Sequence, residues 1–97
     1  MSMRQFAPLP PTFLADYRRK FWGEMFGESI KASRERAGFS VEKCADLAGM
    51  KMSEWAAIED GYVPQDTNRL RAMAAAMEIN YEQVATMALL CREAWEL

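Results

Sequence analysis

The chain is 97 residues long and 51% hydrophobic, with 5 Gly and 4 Pro, which fits one domain around one modest core and excludes a disordered chain. With 12 basic and 14 acidic residues, the formal charge is only −2. There is no His, and Cys44 and Cys91 stand far apart, so no zinc or iron–sulfur motif is present and no metal or cofactor is expected.

The charge is unevenly placed. Residues 1–38 hold seven Lys/Arg against four Asp/Glu, and residues 39–97 hold five against ten, so a net of +3 is followed by −5. The opening MSMRQFAPLPP lacks a long apolar run, which argues against a secretory signal. The most apolar stretch, residues 72–91, is interrupted by Glu78, Asn80, Glu82 and Gln83, so no membrane contact is expected. Two reduced thiols in a cytoplasmic protein are expected, with Cys44 packed on the apolar face of its helix. With no His base, Gly-rich phosphate loop or paired-carboxylate site, catalysis is not expected.

Residues 1–11 read as an extended arm, because Pro8, Pro10 and Pro11 block helix. Arg4 in this arm suits either a minor-groove contact or a packing strap. Thr12 is a candidate cap for a helix through about residue 22, with Phe13, Leu14, Tyr17, Phe21 and Trp22 on a buried aromatic face. Arg18, Arg19 and Lys20 fill another face, solvated or set against a phosphate backbone. Gly23 either breaks this helix or bends it. A helix over residues 24–37 follows, with Met25, Phe26 and Ile30 inward, and Gly38 closes it. Ser40 caps a helix over 41–48, Gly49 turns the chain, and the next helix runs from about 52 to 60. Residues 61–66 form a loop. Asp66 or Thr67 caps a helix through Met77, with Leu70, Met73, Ala74 and Met77 on one stripe. Asn80 with Gln83 resembles a capping box opening a last helix over about 81–95, striped by Val84, Met87, Ala88, Cys91 and Trp95. Trp95 and Leu97 call for a cover, either the N-terminal extension or a second copy of the chain.

Residues 41–60, VEKCADLAGMKMSEWAAIED, carry the most information. Cys44, Ala45, Ala48, Met50, Trp55 and Ile58 recur at the spacing of two short helices crossing steeply at Gly49, a unit whose second helix can enter a DNA major groove. With FGESIKASRERAG before it, the Ile58-Glu59-Asp60-Gly61 element within and after it, Pro64, Leu70 and the Met-Glu-Ile-Asn close at 77–80, the chain resembles the Cro/C1-type (XRE-like) helix-turn-helix family. The resemblance spans about sixty residues, from Phe26 to about Val84. It implies an all-α, compact five-helix, lambda-repressor-like domain with an N-terminal helical extension. Residues 1–25 form the arm and extension, and residues 26–97 the helix-turn-helix domain with its C-terminal helix. It also implies that Arg34 pairs with Glu59 in a structural role.

The function implied is sequence-specific DNA binding by a transcriptional regulator, acting on an operator as a homodimer. The residues placed at bases are Lys51, Met52, Ser53, Glu54 and Ala57, with Lys43, Arg18, Arg19 and Lys20 at phosphate. Bidentate base readout draws on Arg, Lys, Asn or Gln. This recognition helix offers mainly Lys51 and Ser53. Val41 stands where the family often has Gln, and residues 41–60 carry two lysines against five carboxylates, a net of −3. A second function therefore stays open: the fold kept as a module that binds a protein partner, such as a transcription factor or polymerase subunit. Lys51 and Glu54 are both expected at the surface, with Glu54 opposing phosphate.

Overall fold

The computed structural model describes the backbone of residues 13–96 and the side chains of residues 16–92. Among the described residues there are five helices and no strand: α1 (Phe13–Ala37), α2 (Val41–Leu47), α3 (Met52–Glu59), α4 (Thr67–Met77) and α5 (Tyr81–Glu96). The last four lie within a residue or two of the positions that periodicity and capping indicate. Ser40 Oγ accepts from Lys43 N at the start of α2, and Asp66 Oδ1 accepts from Asn68 N at the start of α4. Asn80 Oδ1 accepts from Glu82 N to open α5. The arm and Thr12 lie outside the described residues, as do the side chains of Phe13, Leu14 and Trp95, and Leu97 entirely.

Gly23 does not break the first helix. α1 is one helix of 25 residues, running without interruption through the extension. The glycine serves packing instead. A Cβ at Gly23 would sit 2.5 Å from the Gly61 carbonyl oxygen, and one at Gly27, a turn later, would press into the carbonyls of Glu59 and Ile58. The two glycines make a notch on α1 that receives the backbone at the end of α3.

One core joins all five helices. Phe26 and Ile30 of α1 meet Cys44 and Ala45 of α2, Trp55 and Ile58 of α3, Leu70, Met73, Ala74 and Met77 of α4, and Val84, Ala88 and Cys91 of α5. α5 runs antiparallel to α1: Cys91 Sγ reaches the Trp22 carbonyl at 3.4 Å, and Ser29 Oγ reaches Met87 Sδ at 3.5 Å. Gln65 Nε2 donates to the Ala88 carbonyl, tying the loop before α4 to α5.

Of the expected buried aromatic face, Trp22 is half-buried against the core, but Tyr17 and Phe21 are exposed. Tyr17 is 61% exposed and Phe21 43%, and Met25, expected inward, is 47% exposed. The reason is topological. Trp22 meets Cys91 of α5 through its carbonyl and Gly23 lies against Gly61 after α3, whereas every residue from Asp16 to Phe21 is exposed.

Candidate nucleic-acid interface

The turn between α2 and α3 is closed by backbone alone. Gly49 N–H donates to the Asp46 carbonyl and Met50 N–H to the Ala45 carbonyl at 2.8 Å, with Gly49 at φ +68°. This is the left-handed helix close that glycine permits without a Cβ penalty. Ala45 is 1% exposed, so a larger side chain there would push the helices apart. Trp55 and Ile58 anchor the inner face of α3 in the core.

A polar cluster locks the end of α3 to α1. Arg34 Nε donates to Glu59 Oε2 at 2.6 Å and Arg34 Nη2 to Glu59 Oε1 at 3.1 Å, a bidentate pair. Arg34 Nη1 also donates to the Phe39 carbonyl, and Trp55 Nε1 donates to Glu59 Oε2 at 2.6 Å. The two charged side chains are only 12% and 10% exposed. The hydrogen bond to Glu59 raises the Arg34 pKa, outweighing the opposing effect of burial. Four groups thus fix the angle at which α3 leaves the core. The indole and the Phe39 carbonyl were not foreseen. Trp55 and Glu59 are one helical turn apart, a spacing that could have signalled the indole contact.

The outer face of α3 is open. Lys51, Met52, Ser53, Ala56 and Ala57 are all exposed, Met52 to 54%. Glu54 departs from expectation. It is half-buried, and Arg69 Nη1 of α4 lies 3.0 Å from its Oε2, an ion pair without a directed hydrogen bond. The carboxylate is therefore partly neutralised from within the domain rather than opposing phosphate alone. With Ala57, Ile58 and Tyr62 these two residues line a groove of ≈ 370 Å³ between α3 and α4. Tyr62 is 52% exposed. Arg69 and Tyr62 join the surface as candidates absent from the sequence-derived set, and nothing local marks Arg69, which lies fifteen residues from its partner.

The basic candidates do not converge. Lys43 is exposed, but it shares a concave patch with Ser40, Glu42 and Asp46, so two carboxylates flank it. Arg18, Arg19 and Lys20 are exposed on α1, and Arg19 pairs with Asp16. They precede the Gly23 contact with Gly61, so they lie beyond the C-terminal end of α3, while Lys51 sits at its N-terminal end. The eight-residue helix between them is about 12 Å long. Among the described residues no group of three His, Cys, Asp or Glu could hold a metal ion, and no helix is long and apolar enough to cross a membrane.

The same geometry, two helices joined at Gly49 and held by the Arg34–Glu59 cluster, falls inside a match to a known family. A family described as a helix-turn-helix domain matches residues 25–87. No curated protein and no solved structure matches the chain. That match covers well over half of the sequence, so the chain belongs to the helix-turn-helix domain family.

Proposed function

We propose that the protein is a sequence-specific, Cro/C1-type DNA-binding transcriptional regulator of the cytoplasm that binds double-stranded operator DNA as a homodimer and is not an enzyme. The observation that carries this reading is the open first turn of α3. Lys51, Met52 and Ser53 stand clear of the core on a helix whose inner face is fixed by Trp55, Ile58 and Glu59. Lys51 serves guanine, Ser53 serves either base edge, and Met52 and Ala57 serve thymine methyls. Tyr62 and Arg69 extend the surface toward phosphate. Lys43 is the phosphate contact on α2, and Arg18, Arg19 and Lys20 engage DNA only beyond the far end of α3.

Titrating the full chain against fluorescent DNA from upstream of its own coding region, across a salt series, tests this reading. Affinity should fall with salt as contacted phosphates release counterions, with a shallow slope because few cations converge. Absence of binding at about 50 mM salt, with the fold intact, would overturn it.

A second reading, a module that binds another protein, is supported by the net −3 of residues 41–60 and by the exposure of Leu47 and Met52, 50% and 54%. Under this reading Met52→Asp disrupts a protein complex more than Lys51→Ala does, and neither change affects DNA.

A further inference from the structure

We infer that the chain self-associates through the outer face of α1, two copies packing antiparallel about a two-fold axis at Phe21. Tyr17, Phe21 and Met25 recur every fourth residue, so they form one continuous ridge on the side of α1 facing away from α3. All three are exposed, to 61%, 43% and 47%. The ridge borders a groove of ≈ 290 Å³ between α1 and α5, lined by Trp22, Met25, Phe26, Met87, Leu90 and Cys91. Leu90, on its α5 wall, is 40% exposed. Aromatic side chains bury on the order of 150–250 Å² each, so half-exposed Tyr17 and Phe21, with Met25 and Leu90, offer several hundred Å² of apolar surface per copy. That is the apolar centre of an interface of about 800 Å² per partner.

Charge selects a second copy as the occupant and sets its direction. Lys20 and Glu24 are both exposed and lie one turn apart on the same edge of the ridge. A cation and an anion so placed are self-complementary when two such helices run antiparallel, because each Lys20 then comes beside Glu24 of the other copy. In a parallel two-fold pair the two copies of this edge fall on opposite sides of the seam, and the Lys20–Glu24 complementarity is lost. A two-fold interface needs this self-complementarity. In the same arrangement the two grooves face each other, and Leu90 of each copy adds to a shared apolar layer. The inference rests on the homodimer of the proposed function, for which it names the surface, and not on DNA binding itself.

Sedimentation equilibrium of the full chain without DNA provides the test. The wild type should have twice the chain mass. Phe21→Glu should yield a monomer with unchanged helix content, and should melt like the wild type at dilutions where the wild type is itself monomeric, since Phe21 contributes to the interface rather than the core. Glu24→Lys should raise the dimer dissociation constant about tenfold or more, and adding Lys20→Glu should restore it, because the double swap rebuilds the same pair across the axis. A monomeric wild type at about 100 µM overturns the inference. So does a dimer indifferent to Phe21→Glu, or a double swap that fails to recover. A Phe21→Glu variant that melts below the wild type even where both are monomeric also overturns it, by showing that Phe21 belongs to the fold of the single chain. Operator binding is measured separately: a chain monomeric here that still binds operator DNA sinks this interface alone, whereas loss of DNA binding by an intact dimer sinks the DNA reading alone.

Discussion

Glu59 accepts three hydrogen bonds, two from Arg34 and one from Trp55, in a nearly closed pocket. Removing one partner strands the rest. Glu59→Ala leaves the Arg34 charge and the Trp55 indole unmatched and should cost about 3 kcal/mol in urea unfolding. Arg34→Ala should cost a similar amount, and the double variant clearly less than the sum; additive losses would show that the pair is not coupled. A few residues away, Glu54 faces Arg69 at the surface. Glu54→Gln releases Arg69 for phosphate and should tighten non-specific DNA binding, while Arg69→Ala should weaken binding evenly across sequences. Lys51→Ala should instead cost about 1–3 kcal/mol of specific binding alone. An anisotropy titration on operator and random DNA separates the three, and a Glu54→Gln variant that binds random DNA less tightly would contradict the ion pair's part.

At the scale of elements, the decisive contact is backbone against backbone. Alanine is a better helix former than glycine by about 1 kcal/mol, so propensity alone says Gly27→Ala should stabilise α1. The carbonyls of Ile58 and Glu59 leave no room for the methyl, and backbone cannot rotate aside as a side chain would. Gly27→Ala should therefore destabilise by about 1–3 kcal/mol, and a raised melting temperature would show that α3 does not sit in the notch. The opposite case closes α4. Glu78 holds φ 58° and ψ 40°, the left-handed conformation that Gly38, Gly49 and Gly61 take at the other helix ends. With Ile79 N–H donating to the Ala74 carbonyl, it occupies the position that glycine favours. Glu78→Gly should stabilise by about 0.5–1 kcal/mol, read from the shift of the urea midpoint.

For the whole molecule, one core stabilises five helices, and two thiols are sealed within it. Cys44 is fully buried and Cys91 2% exposed, and burial pushes both thiols above their ordinary value of 9.0. The folded pKa lies above the unfolded one, so this contribution is complete below the unfolded value and is lost as pH rises through the folded value. The melting temperature should lose this contribution above about pH 9. A Cys44→Ala/Cys91→Ala variant, less stable at neutral pH, should lose less on the same rise; equal slopes for the two proteins would show that the thiols are not sealed.

The positions of α2 to α5, their caps at Ser40 and Asp66 and the turn at Gly49 were legible in the sequence, because each depends on side-chain spacing and capping within a few residues. The Arg34–Glu59 pair was legible only through family resemblance, since the two lie 25 residues apart. The fold decided what depends on which remote backbone lies opposite. Gly23 read as a break or a bend because its role requires the Gly61 carbonyl, 38 residues away. Glu54 read as a bare charge because Arg69 approaches it from another helix. Tyr17 and Phe21 read as core because helical spacing shows that a face is apolar, whereas only the packing of α1 against α5 and α3 shows whether anything covers it.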